Sequence, residues 1–206
     1  MPKYKLYYFS GNGRAVVPRT ILCYAKADWE NLVIYMQDWP KIKKSGLCEF
    51  EQLPILEIDN KKYSQSLAIN LYLGKTFKLM GKDIEDNYQI INLLMTYDDF
   101  SVPVYKWYFS QNYSKKSKLY KDAEEKFKFF IGRFEKRYVD LGKGKYFLGD
   151  IFSLADIYLT TVIPSVFDIL QLNENYYKTN APNLGELIKR VRENELKEFY
   201  EKYYVN

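Results

Sequence analysis

Every convincing strand pattern in this chain lies before Met80, and the sequence after it reads as helix and loop. That asymmetry restricts the fold more than any single motif. Residues 3–9, KYKLYYF, are aromatic and β-prone and read as a strand. The loop SGNG at 10–13 follows, and Arg14 to Ala25 carries apolar residues at helical spacing, with Pro18 required to lie in the first turn. WENLVIYM at 29–36 reads as a second strand, and DWPKIKKSG as a short helix or turn ending at Gly46. ILEID at 55–59 and KKYSQ at 61–65 flank Asn60 as a hairpin. Ser66 to Phe77, apolar at 67, 68, 69, 71, 72 and 73, reads as a buried helix. The order is βαβ, a connection, then ββα.

Gly81-Lys82-Asp83 is a polar break. Beyond it Ile90, Ile91, Leu93, Leu94, Tyr97, Phe100 and Val104 recur at helical spacing, as do Phe127, Phe130, Ile131, Phe134 and Tyr138. The expectation is an α/β domain at 1–79 followed by an all-helical domain at 84–206. Within the second, Ser153-Leu-Ala-Asp156 matches a capping box, with Phe152 and Ile157 at the positions of a hydrophobic staple. The helix it starts passes through Tyr158, Val162 and Val166 and should kink at Pro164. That device is structural, with no part in chemistry.

The absence of histidine limits the chemistry. A Ser-His-Asp or Cys-His nucleophile, a histidine-ligated zinc and a histidine general base are all excluded. Any catalysis must use tyrosine, arginine, lysine, carboxylates, hydroxyls, backbone amides or a borrowed group. The net charge of +5 is spread along the chain, so it does not point to nucleic acid, and the basic tract from Lys115 to Lys121 reads as a solvated helix start. No apolar run approaches the ~18 residues that cross a bilayer, and MPKYKLYYF is too short and polar for a signal peptide, which predicts a cytosolic protein without membrane partners. Cys23 and Cys48 have no metal spacing and read as reduced thiols, Cys23 in the core and Cys48 in a looser segment open to exposure.

The stretch FEQLPILEIDNKKYSQSLAINLYL at 50–73 carries the binding chemistry. Pro54 cannot donate to a ladder, so it opens its strand and holds Leu53 extended, with a free N–H and C=O for another peptide backbone. Gln65-Ser66 begins a helix with a serine at its cap, where exposed amides and the helix dipole attract a carboxylate. A small molecule with a peptide backbone and terminal carboxylates fits both features, and glutathione is one.

Taken together, YKLYYFSGNGRA, QLPILEIDNKKYSQSLAINLYL and SLADIYL resemble the cytosolic glutathione transferases along essentially the whole chain. Tyr8, GRA at 13–15, DWP at 38–40 and DDF at 98–100 are most similar to the sigma class, which includes glutathione-dependent prostaglandin D synthases. The resemblance implies a thioredoxin-like N-terminal domain and glutathione as co-substrate. Tyr8 would hydrogen-bond the glutathione sulfur and favour its thiolate, with Arg14 adding positive field. Trp39 and Lys43 would meet the glycyl carboxylate. Gln52, Leu53 and Pro54 would form a corner with a cis Leu53–Pro54 bond, Leu53 pairing with the cysteinyl backbone. Gln65 and Ser66 would take the γ-glutamyl carboxylate, and Asp99 would reach the γ-glutamyl ammonium in the neighbouring subunit of a homodimer. Phe9, Asn12 and Gly13 with Tyr105, Trp107 and Tyr108 would line the pocket for a small apolar electrophile.

Two departures from the family pattern fall at Gly11-Asn12-Gly13 and in the loop from Ser45 to Glu51. Met95 stands where some prostaglandin synthases carry the first of three aspartates, with Asp98 and Asp99 as the others, so no metal is expected. Three activities share this resemblance: conjugation of glutathione to electrophiles, a glutathione-dependent isomerisation of prostaglandin type, and a non-catalytic carrier or crystallin-like role, against which the retention of Tyr8 counts.

Overall fold

Strands and helices fall where the pattern changes at Met80, and the chain packs as two units, Met1–Leu79 with Glu193–Asn206, and Met80–Arg192. The computed structural model describes residues 3–110, 114–173 and 175–204.

The first unit is built on a four-stranded sheet of β1 (Tyr4–Tyr8), β2 (Trp29–Val33), β3 (Ile55–Ile58) and β4 (Lys61–Tyr63), in the order β2-β1-β3-β4. β1 and β2 are parallel, joined by a 3-10 turn (Gly13–Ala15) and α1 (Val16–Tyr24), whereas β3 pairs antiparallel with both β1 and β4. A short α2 (Trp39–Lys43) precedes β3, and α3 (Ser66–Thr76) follows β4. β3 is buried along its whole length, as an internal strand must be. One face of the sheet carries a cross-strand row of alternating charge, Glu30, Lys5, Glu57 and Lys62 in register. Lys5 Nζ lies 3.0 Å from Glu57 Oε1, so the one acidic residue inside a buried strand is paired rather than orphaned.

α1 is buried from Val16 to Cys23 because it packs against α3 on one side and α10 (Lys197–Lys202) on another. The C-terminal residues, expected to complete the helical domain at 84–206, belong with this first unit: Phe199 is buried, and Trp29 and Tyr203 meet at 5.0 Å between ring centroids. Their apolar side chains cover α1, a partner that no local pattern at 193–206 reveals. α3 is less buried than its composition implies. Only Ile69, Asn70, Leu73 and Gly74 reach the core, while Tyr72 is exposed and stacks on Tyr63 at 4.8 Å. Cys23 is buried as expected, but Cys48 is buried too. Ser64 Oγ donates to Glu49 at 2.8 Å and pins the loop around it to the end of β4.

The second unit contains α4 (Ile84–Met95), α5 (Tyr97–Tyr108), α6 (Lys118–Asp140), α7 (Leu154–Leu170), α8 (Asn175–Asn180) and α9 (Pro182–Glu193). Phe100 of α5 meets Phe127, Phe130 and Phe134 of α6 at centroid separations of 5.7–6.1 Å, forming the centre of that core. α7 runs through Pro164 and is buried on every face except at Asp168 and Ile169. Its start is the capping box expected from sequence, with Ser153 Oγ accepting from Ala155 N–H and Asp156 Oδ2 accepting from Ser153 N–H at 2.9 Å. No helix among the described residues is long and apolar enough to cross a membrane.

Candidate active site

Tyr7 and Tyr8 are successive residues of β1, so their side chains leave opposite faces of the sheet. Tyr7 Oη donates to Glu57 Oε2 at 3.2 Å on the charged face. Tyr8 turns toward the 3-10 turn and α1, where its hydroxyl oxygen accepts from the backbone N–H of Arg14 at 3.0 Å. Gly13 permits that approach. Its φ is +40°, and a Cβ there would stand 2.5 Å from Tyr8 Oη, well inside contact distance. Burial pushes the Tyr8 phenol up, while the Arg14 N–H and the charges of Arg14 and Arg19 pull it back, the net direction being upward. Tyr8 is therefore protonated at neutral pH. With one lone pair taken by Arg14, its O–H is placed to donate.

Arg14, Gly13 and Phe9 lie against Tyr8, with Trp39 beyond Phe9, and the other sequence-selected residues of the first unit make contacts of their own. The Phe9 ring lies 5.5 Å from that of Tyr8 and packs edge-on against Trp39 at 5.6 Å, so Phe9 bridges the two. Asn12 caps the 3-10 turn through its carbonyl, which accepts from Ala15 N–H at 3.1 Å. The Leu53–Pro54 peptide is cis, Pro54 is buried, and Gln52 Oε1 accepts from Gln65 Nε2 at 3.2 Å. Lys43 Nζ lies 3.5 Å from Glu51 Oε2. Gln65 has φ 68° and ψ 110°, a conformation costly for a residue with a side chain. It occupies the cap position of α3 without a side-chain cap bond, and Ser66 is the first helical residue instead of the cap the sequence reading made it. The opening amides of α3 thus keep no side-chain acceptor from the cap residue, which suits them to an incoming anion.

The remaining selected residues lie in the second unit. Asp99 is exposed in the first turn of α5. Tyr105 Oη and Tyr97 Oη are 3.3 Å apart, and Tyr108 is 42% exposed. Trp107 does not line a surface pocket. It is buried edge-on against Tyr120 at 4.9 Å, because Phe100, Val104 and Trp107 share the core-facing stripe of α5 while Tyr105 and Tyr108 fall on the other side. Among the described residues there is no group of three or more His, Cys, Asp or Glu side chains able to hold a metal ion.

One residue of this site escaped the sequence reading. Arg19 sits amid Val16, Val17, Ile21 and Leu22 and is 2% exposed. A charged side chain on an otherwise apolar helix was the available signal, since arginine is almost never fully buried without a reason.

The glutathione S-transferase N-terminal domain model matches residues 2–75, and the C-terminal domain model of the same family matches residues 98–203, more than half of the chain. The chain belongs to the glutathione S-transferase family. Among curated relatives, a probable glutathione S-transferase 5 of Caenorhabditis elegans is 41% identical over 101 residues, covering 49% of each chain, so this chain spans about half the length of that relative. The hematopoietic prostaglandin D synthase of Rattus norvegicus is 34% identical over 158 residues, covering 77% of this chain and 76% of the relative. The solved structure of a prostaglandin synthase D from Nilaparvata lugens superposes with a TM-score of 0.84 at 29% identity, covering 98% of this chain and all of that one. In glutathione S-transferase terms the sheet with α1 and α3 is the thioredoxin-like N-terminal domain, and the helices of the second unit, α4 to α9, form the helical C-terminal one.

Proposed function

We propose that this protein ionises bound glutathione at Tyr8 and transfers the thiolate to small apolar electrophiles. The observation that carries the reading is the phenol of Tyr8, held by the Arg14 N–H with clearance provided by Gly13. A free thiol of pKa roughly 8.5 is mostly protonated at neutral pH, and a donor aimed at the sulfur favours its ionised form. The thiolate then attacks an electrophilic carbon. A C–S bond forms, and the leaving group departs with the bonding pair. The γ-glutamyl carboxylate would lie at the α3 amides beside Gln65 and Ser66, the cysteinyl backbone along Leu53, and the glycyl carboxylate near Trp39 and Lys43, with Lys43 exchanging Glu51 for the ligand.

The assembly proposed is a sigma-class-like homodimer in the cytosol, in which Asp99 of a second copy meets the γ-glutamyl ammonium. Ile84, Tyr88, Ile91 and Met95 recur along one stripe of α4 and are 87%, 57%, 38% and 59% exposed, an apolar surface that a second copy would cover. Retention on immobilised glutathione, conjugation to an aryl halide and sedimentation as a dimer are the expected results. Asp99→Asn should raise the KM for glutathione by about tenfold, the scale of a lost charge-assisted hydrogen bond. A protein that neither binds glutathione nor conjugates it would overturn the reading, and full activity in a monomer would overturn the shared site. The similarity to a prostaglandin D synthase favours a second reading, in which the same thiolate drives an isomerisation; turnover of a prostaglandin-type acceptor in place of the aryl halide would select it.

Gly13 offers a separate check. Gly13→Ala must place a Cβ against Tyr8 Oη and hold a left-handed φ, which costs roughly 1–2 kcal/mol for an L-residue. Conjugation should fall about tenfold by rotation of the phenol off the sulfur, while Gly11→Ala, which meets nothing within 4 Å, should leave both rate and melting temperature close to normal.

A further inference from the structure

Arg19 extends from the buried face of α1 to the turn that follows β1. Its Nη1 donates to Gly11 O at 2.6 Å, its Nη2 to Phe9 O at 2.7 Å and its Nε to Asn31 Oδ1 at 3.0 Å. The guanidinium carbon lies 5.6 Å from the centre of the Tyr8 ring. All three acceptors are neutral. Among the described residues no carboxylate lies within ion-pair distance of Arg19, in contrast to the other charge buried in this unit, Glu57, which has Lys5. A buried cation without a counter-ion is costly, and such costs persist at sites where a ligand supplies the missing charge.

We propose that Arg19 is the buried counter-charge of the glutathione thiolate, acting from behind Tyr8 without touching the sulfur. The inference rests on the reading of Tyr8 as the thiolate's hydrogen-bond donor, and it adds to Arg14 a second, buried source of field. The two carbonyl bonds fix the guanidinium and at the same time hold the chain on either side of Ser10, so the cation and the phenol keep a constant separation. Because its three hydrogen-bond acceptors are neutral, none of them cancels its field at Tyr8. Together with the Arg14 N–H and the Arg14 charge, the same field already opposes the upward push of burial on the Tyr8 phenol. At an effective dielectric near 20 one unit charge moves an ionisation by about two pH units at the 5.6 Å of the Tyr8 ring, and by about one at roughly twice that distance, where a sulfur beyond the phenol would lie.

Three substitutions separate charge from support. Arg19→Gln keeps polarity and loses the charge; Arg19→Lys keeps the charge and loses the planar fork that binds two carbonyls; Asn31→Asp keeps the bond to Nε and sets a carboxylate against the guanidinium. The readout is the pH midpoint of the ultraviolet absorbance of the bound thiolate, followed with the melting temperature. The midpoint should rise by about one unit in Arg19→Gln, by about half a unit in Asn31→Asp, and by only a few tenths in Arg19→Lys, although Arg19→Lys melts earlier. A merely supporting role predicts otherwise: Asn31→Asp would leave the midpoint in place and raise the melting temperature. That result, or equal shifts in Arg19→Lys and Arg19→Gln, would overturn the proposal. If Arg19→Gln does not fold, Asn31→Asp carries the decision alone. Tyr8→Phe, measured alongside, isolates the underlying reading. A Tyr8→Phe protein with an unmoved midpoint defeats the role of Tyr8, whereas a moved one with Asn31→Asp unmoved defeats only that of Arg19. No thiolate absorbance in the wild-type protein defeats both.

Discussion

Tyr8→Phe is expected to slow glutathione conjugation by roughly ten- to a hundred-fold while changing glutathione affinity little. The substitution keeps the ring against Phe9 and above Arg19 and removes only the hydroxyl. A hydrogen bond to a charged group is worth on the order of 1.5–3 kcal/mol, and that range becomes the stated factor when it is expressed fully in thiolate formation. The hydroxyl is held by a backbone N–H, so its orientation costs nothing at the moment of reaction. The pH at which the bound thiolate absorbs should rise with the loss of rate. Tyr7→Phe is the control. Its hydroxyl donates to Glu57 on the opposite face, so removing it should lower stability by up to about 1 kcal/mol and leave the rate alone. Equal effects of the two substitutions would mean that the thiolate is not stabilised from this strand's helix side.

The alternation that separates Tyr7 from Tyr8 was legible in the sequence because a strand's period is two, whatever surrounds it. The capping box was legible for the same reason: Ser153 and Asp156 are three residues apart and need no other part of the chain to find each other. Arg19 was not, because its acceptors at residues 9, 11 and 31 converge only when the turn after β1 and the parallel strand β2 are in place. Long-range packing also accounts for the burial of Cys48, since the bond from Ser64 to Glu49 folds its loop onto β4. Trp107 was misread because its composition suits a pocket and a core alike, and the decision lies in whether it shares a stripe with Phe100 and Val104. The strained backbone of Gln65 leaves no trace in residue type at all.

Asp156 carries the largest expected effect on stability, and its pH dependence has an unusual sign. Its side chain is fully buried, with Oδ1 accepting from Phe147 N–H at 2.7 Å and Oδ2 from Ser153 N–H at 2.9 Å and Ser153 Oγ at 3.0 Å. It ties the loop before α7 to the helix start. Asp156→Ala would orphan two buried backbone donors and should cost about 3–5 kcal/mol in unfolding free energy, measured by denaturant titration. Asp156→Asn should cost less, since its amide oxygen still accepts from one donor while its NH2 opposes another. Burial pushes the Asp156 carboxyl up from 3.8 to about 6 against the pull of those donors. A folded value above the unfolded one means that the native state holds the proton more tightly. The contribution to stability is therefore full below about pH 4 and is lost as pH rises through 6, by about 3 kcal/mol for a shift of roughly two units. Other carboxylates titrate in that window, so the quantity to measure is the difference between wild type and Asp156→Asn. The wild-type advantage over Asp156→Asn should shrink between pH 4 and 6 and stay level above 7. An advantage that grows across that interval would show that the donors outweigh burial, and that Asp156 holds the loop as a carboxylate at every pH at which the protein is folded.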